Sequence, residues 1–255
     1  MLINYKTVFT NKKQLTGNVY LFTFKLTDPP EINFTPGQYL ILKVNNKPRL
    51  YSIASSSQVK NQIEFIIEII RSGLASQYFL RLKINDQVNF QGPAGQFTLK
   101  ENNKQKIFLV TGAGIAPVRS MLSSYVSSRP SERCERVEGS LKDSSTPLRS
   151  ARNDRGVAYL FWGLKTYRDV YLFDELKQFN PKICLSREQN LDMIPKEDKK
   201  YFDLGHVDQC VEKLFINGLT DCEFYLCGRK DVVESLKNFL ISKNIPQENI
   251  IFEKF

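Results

Sequence analysis

Near residue 100 the chain changes from one folding grammar to another, and few architectures accommodate both halves. Before that point, short apolar or alternating runs cover Val19 to Lys25, Tyr39 to Val44, Ile63 to Ile70 and Asp86 to Gln91. Turn-forming clusters separate them: Asp28-Pro29-Pro30, Thr35-Pro36-Gly37 and Asn45-Asn46-Lys47-Pro48. This pattern predicts an antiparallel β-barrel or sandwich. Beyond the polar stretch Lys100 to Gln105, apolar strands alternate with helical periods: Ile107 to Val110, Ala116 to Val126, Val157 to Trp162, Val170 to Phe179, Lys182 to Leu185, Glu223 to Leu226, Asp231 to Ser242 and Ile250 to Phe252. That alternation predicts an α/β domain with a parallel sheet covered by helices on both faces. The expected units are a β-barrel over 1–101 and an α/β, Rossmann-like domain over 105–255.

A chain of 255 residues can support two such cores. No run reaches the roughly eighteen apolar residues of a membrane span, and Met1-Leu2-Ile3-Asn4-Tyr5-Lys6 lacks the apolar core of a secretory signal. The expectation is a cytoplasmic monomer that binds no membrane. Five scattered cysteines, Cys134, Cys184, Cys210, Cys222 and Cys227, suit a reducing compartment and form no C-x-x-C or iron-sulfur spacing. With His206 the single histidine, no metal site is expected. The net charge of +9 is spread along the chain, which predicts steering of an acidic macromolecule and phosphate-bearing cofactors rather than nucleic-acid binding. One segment, 129–155, is polar and nearly devoid of large apolar residues, and reads as a disordered insertion.

Four motifs carry chemistry. Arg49-Leu50-Tyr51-Ser52 closes a strand, so Arg49 and Tyr51 share one face and Ser52 points to the other. Gly73-Leu74-Ala75-Ser76 opens a short helix whose free N–H groups could seat a diphosphate. Thr111-Gly112-Ala113-Gly114-Ile115-Ala116-Pro117 follows a strand and opens a helix, with Gly112 and Gly114 allowing close approach to a pyrophosphate. Pro117 replaces the third glycine of the usual dinucleotide loop, and no acidic residue follows the next strand at Phe161-Trp162-Gly163 to hold an NAD ribose. Instead, Ser186 and Arg187 close a later strand, where a hydroxyl and a guanidinium suit a 2'-phosphate. NADPH is expected over NADH.

In this order, the motifs resemble the ferredoxin-NADP reductase family over nearly the whole chain. Pro48 to Ser56 is similar to its FAD signature, Gly92-Pro93-Ala94-Gly95-Gln96-Phe97 to its G-P-x-G-x-F turn, Tyr225-Leu226-Cys227-Gly228 to its nicotinamide strand, and Glu253-Lys254-Phe255 to its plant-type ending. His206 departs from it, standing where that type often has a tyrosine. The resemblance implies FAD bound by Arg49, Leu50, Tyr51, Ser52, Gly73 and Ser76, and NADPH bound by Thr111, Gly112, Gly114, Pro117, Ser186 and Arg187. Catalytic roles would fall to Ser52, Cys227, Glu253 and Phe255, with Phe255 covering the flavin. The implied function is hydride transfer between NADPH and FAD, then electron exchange with an acidic carrier such as ferredoxin or flavodoxin. Two alternatives remain: an NAD(P)H-flavin reductase or oxygenase reductase component, and a non-catalytic electron-transfer subunit.

Overall fold

The computed structural model describes residues 2–127, 158–213 and 222–255. The insertion expected at 129–155 lies outside the described residues.

The first sheet holds β1 (Ile3–Gln14), β2 (Val19–Asp28), β3 (Tyr39–Val44), β4 (Lys47–Ser52), β5 (Gln62–Glu68) and β6 (Gln87–Ala94). Their order is β4-β3-β6-β1-β2-β5, and every pairing is antiparallel. β1 was not apparent from apolar patterning because its outer half, Thr10 to Gln14, is polar and exposed; only Tyr5, Thr7 and Phe9 are buried. The barrel core is largely aromatic: Phe24 packs edge-on against Phe90, with ring centroids 5.2 Å apart, and Phe22 meets Phe79 at 4.9 Å. Phe79 comes from α1 (Leu74–Arg81), which plugs one end of the sheet.

The second sheet is parallel, comprising β7 (Gln105–Thr111), β8 (Ala158–Leu164), β9 (Lys182–Leu185), β10 (Phe202–Leu204), β11 (Cys222–Gly228) and β12 (Ile250–Lys254) in the order β10-β9-β8-β7-β11-β12. Around it lie α2 (Ile115–Ser127), α3 (Phe173–Leu176), α4 (Val207–Glu212) and α5 (Lys230–Ser242). The helical period over Val170 to Phe179 yields only the single turn of α3 and a 3-10 turn, because Leu172 and Asn180 bracket them in left-handed conformations, φ 52° and 46°. Strand order reverses at β7, with β8 on one side and β11 on the other. The open-sheet rule places a ligand crevice at the carboxyl ends there. Among the described residues, no helix is long and apolar enough to cross a membrane.

The two sheets share one core. Val19, Leu21, Ala54, Ile66 and Phe97 of the first pack with Phe108, Val110, Ile115 and Met121 of the second. At the amino ends of β7 and β11, the register-paired Lys106 and Glu223 form an ion pair at 2.6 Å with side chains 5% and 2% exposed. Asn102 and the Tyr225 hydroxyl also donate to Glu223, at 2.6 and 2.9 Å, and the Lys100 amide donates to the Tyr225 oxygen. The connection between the sheets is thereby anchored to the second one. Burial alone would push the Glu223 carboxyl up, but these donors outweigh it and hold it below the usual carboxylate range.

Removing one member strands a buried charge. Lys106→Ala should therefore lower stability by about 3–5 kcal/mol in urea unfolding. Because the pair sits at the end of the sheet away from the crevice, the folded variant should keep wild-type turnover; unchanged stability would show that the pair is not closed in solution.

Candidate active site at the domain seam

A cleft of about 680 Å³ opens where the strand order reverses. Each strand of the parallel sheet sends residues to it from its carboxyl end or the turn beyond. Thr111 ends β7, with Gly112 and Ala113 beyond it; Gly163 and Leu164 end β8, with Lys165 beyond them; Ser186 and Arg187 follow β9. Gly205 to Asp208 follow β10, Arg229 and Asp231 follow β11, and Phe255 follows β12. The barrel supplies Thr16, Asn18, Val19 and Glu68 as the facing wall.

The glycine loop is shaped from behind. A Cβ on Gly114 would fall inside the Cys227 carbonyl, so the turn after β7 meets the β11 backbone directly, and one on Gly228 would meet the Thr111 side-chain hydroxyl. Gly114 and Pro117 are buried and pack behind the cleft wall rather than lining it. Gly112 is different: at φ +52° it borders open space, and its carbonyl accepts from Trp162 Nε1 and the Tyr171 hydroxyl, both at 3.1 Å. Planarity of the next peptide directs the Ala113 N–H the opposite way. Tyr171 carries no sequence signal; the left-handed Leu172 beside it delivers its ring edge-on to Trp162, centroids 4.7 Å apart.

At the far end, the Ser186 amide and hydroxyl both donate to the Leu164 carbonyl, at 3.0 and 3.2 Å, and the Arg187 amide donates to the Lys165 carbonyl at 2.9 Å. Glu188 accepts from the Tyr167 amide, which fixes the loop. Ser186 thus holds β9 to the end of β8, while the Arg187 side chain is exposed. Lys165, which the motif reading missed, joins Arg187 on the cleft, and neither has an ion-pair partner among the described residues. By contrast Arg229 is tied to Asp231 at 2.6 Å. His206 lines the same end, its amide donating to Gln209 at 2.8 Å.

Ser52, Cys227 and Glu253 are not among the residues that line this cleft, but a bond between two of them joins the domains. The Ser52 hydroxyl, at the end of β4, donates to Glu253 Oε2 on β12 at 3.2 Å, across 201 residues of sequence. Burial pushes the Glu253 carboxyl up, with the Ser52 bond opposing. Cys227 is register-paired with Glu253 and buried in the core, its thiol pushed well up, first by burial and then by the Glu253 charge. Phe255 is 59% exposed at the rim, its amide donating to the Gly228 carbonyl at 3.2 Å.

On the barrel, Tyr51 is held edge-on by Phe79 and Phe65, ring centroids 5.0 and 5.9 Å away, and burial pushes its phenol up to about 12, keeping it neutral. Arg49 is exposed and donates to the adjacent Pro48 carbonyl, and Leu50 is 57% exposed. The N-terminus of α1 has no side-chain cap, whereas the Ser76 hydroxyl is buried and accepts from the Ile70 amide at 2.9 Å, shaping the turn. An edge-held neutral ring, an exposed guanidinium and uncapped helix amides fit a flavin dinucleotide. The open Gly112 loop and two cations without an ion-pair partner among the described residues fit a nicotinamide dinucleotide.

Residues 6–99 match the oxidoreductase FAD-binding domain and residues 108–238 the oxidoreductase NAD-binding domain. The chain belongs to the ferredoxin-NADP reductase family. Its two domains are those of an NAD(P)H-dependent flavoprotein oxidoreductase. It is 27% identical to the toluate 1,2-dioxygenase electron transfer component of Pseudomonas putida over 98% of this chain and 67% of that protein. It is also 27% identical to protein RfbI of Salmonella typhimurium, over 94% of this chain and 65% of that one. The chain thus spans about two thirds of the length of these relatives. In fold it is similar to an Amycolatopsis cytochrome P450 reductase, TM-score 0.79 at 18% identity, covering 100% of this chain and 70% of that one. A Neisseria gonorrhoeae ferredoxin NADP+ reductase with bound FAD and NADP aligns at TM-score 0.72 and 18% identity, covering 99% and 98%.

The two glycines of the loop should respond differently. Gly114→Ala drives a methyl group into the Cys227 backbone, whereas Gly112→Ala meets no atom and bears only left-handed strain of about 1–2 kcal/mol. Thermal midpoints should fall in the order wild type, Gly112→Ala, Gly114→Ala; a reversed order would contradict the packing at the β7–β11 contact.

Proposed function

We propose that this chain transfers hydride between NADPH and FAD and exchanges electrons with a small acidic carrier such as ferredoxin or flavodoxin. The supporting observation is the Ser52–Glu253 bond, which ties the flavin-side domain to the last strand of the nicotinamide-side domain. In this reading residues 1–101 hold the flavin and 105–255 the nicotinamide. When bound, FAD supplies a two-electron acceptor that can release electrons one at a time.

The chain's own residues bind, orient and exclude water. Arg49 and the α1 amides neutralise the flavin pyrophosphate, Tyr51 backs the ring, and Ser52 holds a hydrogen bond beside the reacting edge. Cys227 forms the floor beneath the nicotinamide, and Glu253 fixes the Ser52 hydroxyl. Thr111, Gly112 and the Ala113 amide take the nicotinamide dinucleotide's pyrophosphate, and Arg187 with Lys165 takes its 2'-phosphate. Names of the relatives, an electron transfer component of a dioxygenase among them, favour a second reading in which the acceptor is an oxygenase component. Reduction of a ferredoxin against reduction of free flavin separates a carrier reductase from a flavin reductase.

The nucleotide assignment is tested by kcat/KM for NADPH and NADH. Arg187→Ala should lower the NADPH value by roughly 10- to 100-fold, the equivalent of one charge-assisted contact, with NADH nearly unaffected. A preference that survives the substitution contradicts the assignment.

Phe255 lies at the rim of the cleft; in this reading it covers the surface that the nicotinamide must reach, so binding has to displace it, and the 2'-phosphate contacts supply part of that energy. Phe255→Ser should tighten nicotinamide binding and narrow the NADPH to NADH ratio. A variant with a lower thermal midpoint and an unchanged ratio would make Phe255 an anchor of the last strand instead.

A further inference from the structure

Behind the cleft, Arg119 on α2 spans the seam between the domains. Its Nη1 donates to Glu64 Oε2 at 2.7 Å and to the Ala54 carbonyl at 3.0 Å, both on the barrel. Its Nε and Nη2 fork onto the two oxygens of Glu175 on α3, at 2.7 and 3.2 Å. The Arg119 and Glu64 side chains are largely buried, at 15% and 18% exposure, and Glu175 is partly buried, at 32%. A buried ionic cluster is a poor source of stability compared with apolar packing, and its best use is to fix geometry. The geometry in question is specific. Ala54 lies two residues beyond Ser52, and α3 follows Tyr171, whose hydroxyl holds the Gly112 carbonyl. One guanidinium therefore links the backbone just past the flavin side of the site to the loop on the dinucleotide side.

We propose that Arg119 is a positioning residue: by gripping Ala54 and Glu64 on one domain and Glu175 on the other, it sets the registration of the nicotinamide against the flavin. It governs the rate of hydride transfer rather than affinity for either cofactor. The inference rests on the hydride-transfer reading above. A lysine at 119 keeps the charge but cannot fork onto Glu175 while reaching Glu64 and Ala54. A glutamine leaves two carboxylates facing each other across the seam without their cation.

The test uses the full chain loaded with FAD, as wild type, Arg119→Lys, Arg119→Gln and Glu175→Gln. Anaerobic stopped-flow mixing with NADPH gives the flavin reduction rate and the long-wavelength charge-transfer absorbance that reports ring overlap; titration gives the NADPH Kd. Both Arg119 variants should slow reduction by on the order of 10- to 100-fold and weaken the charge-transfer band, with Kd changing by no more than about twofold. Arg119→Lys should be slowed less than Arg119→Gln. Should Arg119→Gln fail to fold, Glu175→Gln, which keeps the grip on the barrel, should still show a smaller loss in the same direction. Wild-type rates in Arg119→Lys and Glu175→Gln, or a loss that appears only in Kd or thermal midpoint, would overturn the proposal. A wild-type flavin that NADPH does not reduce would overturn the hydride-transfer reading, and this inference with it.

Discussion

Just beyond the carboxyl end of β7, the backbone at Gly114 approaches the β11 backbone so closely that a Cβ would fall inside the Cys227 carbonyl. That contact lies where the strand order reverses, between the hydrogen-bonded strands β7 and β11, and the cleft opens there. Because β8, β9 and β10 lie to one side and β11 and β12 to the other, a dinucleotide laid across the reversal would meet residues from both directions. Arg187 and Lys165 come from one side, Arg229, Asp231 and Phe255 from the other. The Gly112 carbonyl, drawn inward by Trp162 and Tyr171, completes the middle.

The barrel does not hang from the second domain by a linker alone. Apolar side chains of both sheets form one core, and polar links cross it at several places: Ser52 to Glu253, Ser57 to Ser124, Thr16 to the Arg168 carbonyl, and the Arg119 cluster. Hydride transfer requires two rings to stack within a few tenths of an ångström of the right separation, so a rigid seam is the physical requirement that such a site imposes on its scaffold. The protein's contribution is then geometry, charge neutralisation and exclusion of water, the electron chemistry belonging to the cofactors.

The two-grammar pattern and the motif order were legible in the sequence because each depends on neighbouring residues. Tyr39 to Val44 and Lys182 to Leu185 have the same bounds in sequence and structure, since both are short apolar strands between clear turn signals. What escaped was set by distant partners. Arg119 and Glu64 are 55 residues apart, and Lys106 and Glu223 are 117 apart, so no local pattern announces either pair. β1 escaped because half of it faces water, and the helix around α3 was overread because left-handed turns at Leu172 and Asn180 cut an apolar period short. The Ser76 hydroxyl illustrates a further limit: a serine at a helix start suits a phosphate in sequence, yet its oxygen is engaged by the Ile70 amide.

The central claim is that one chain brings a flavin and a reduced nicotinamide together at the seam closed by Ser52 and Glu253. Anaerobic addition of NADPH to the FAD-loaded protein, followed by visible absorbance, tests it most directly. Stoichiometric bleaching of the flavin band near neutral pH is the predicted result. A flavin spectrum left unchanged by excess NADPH and by NADH, in protein that retains FAD, would contradict it.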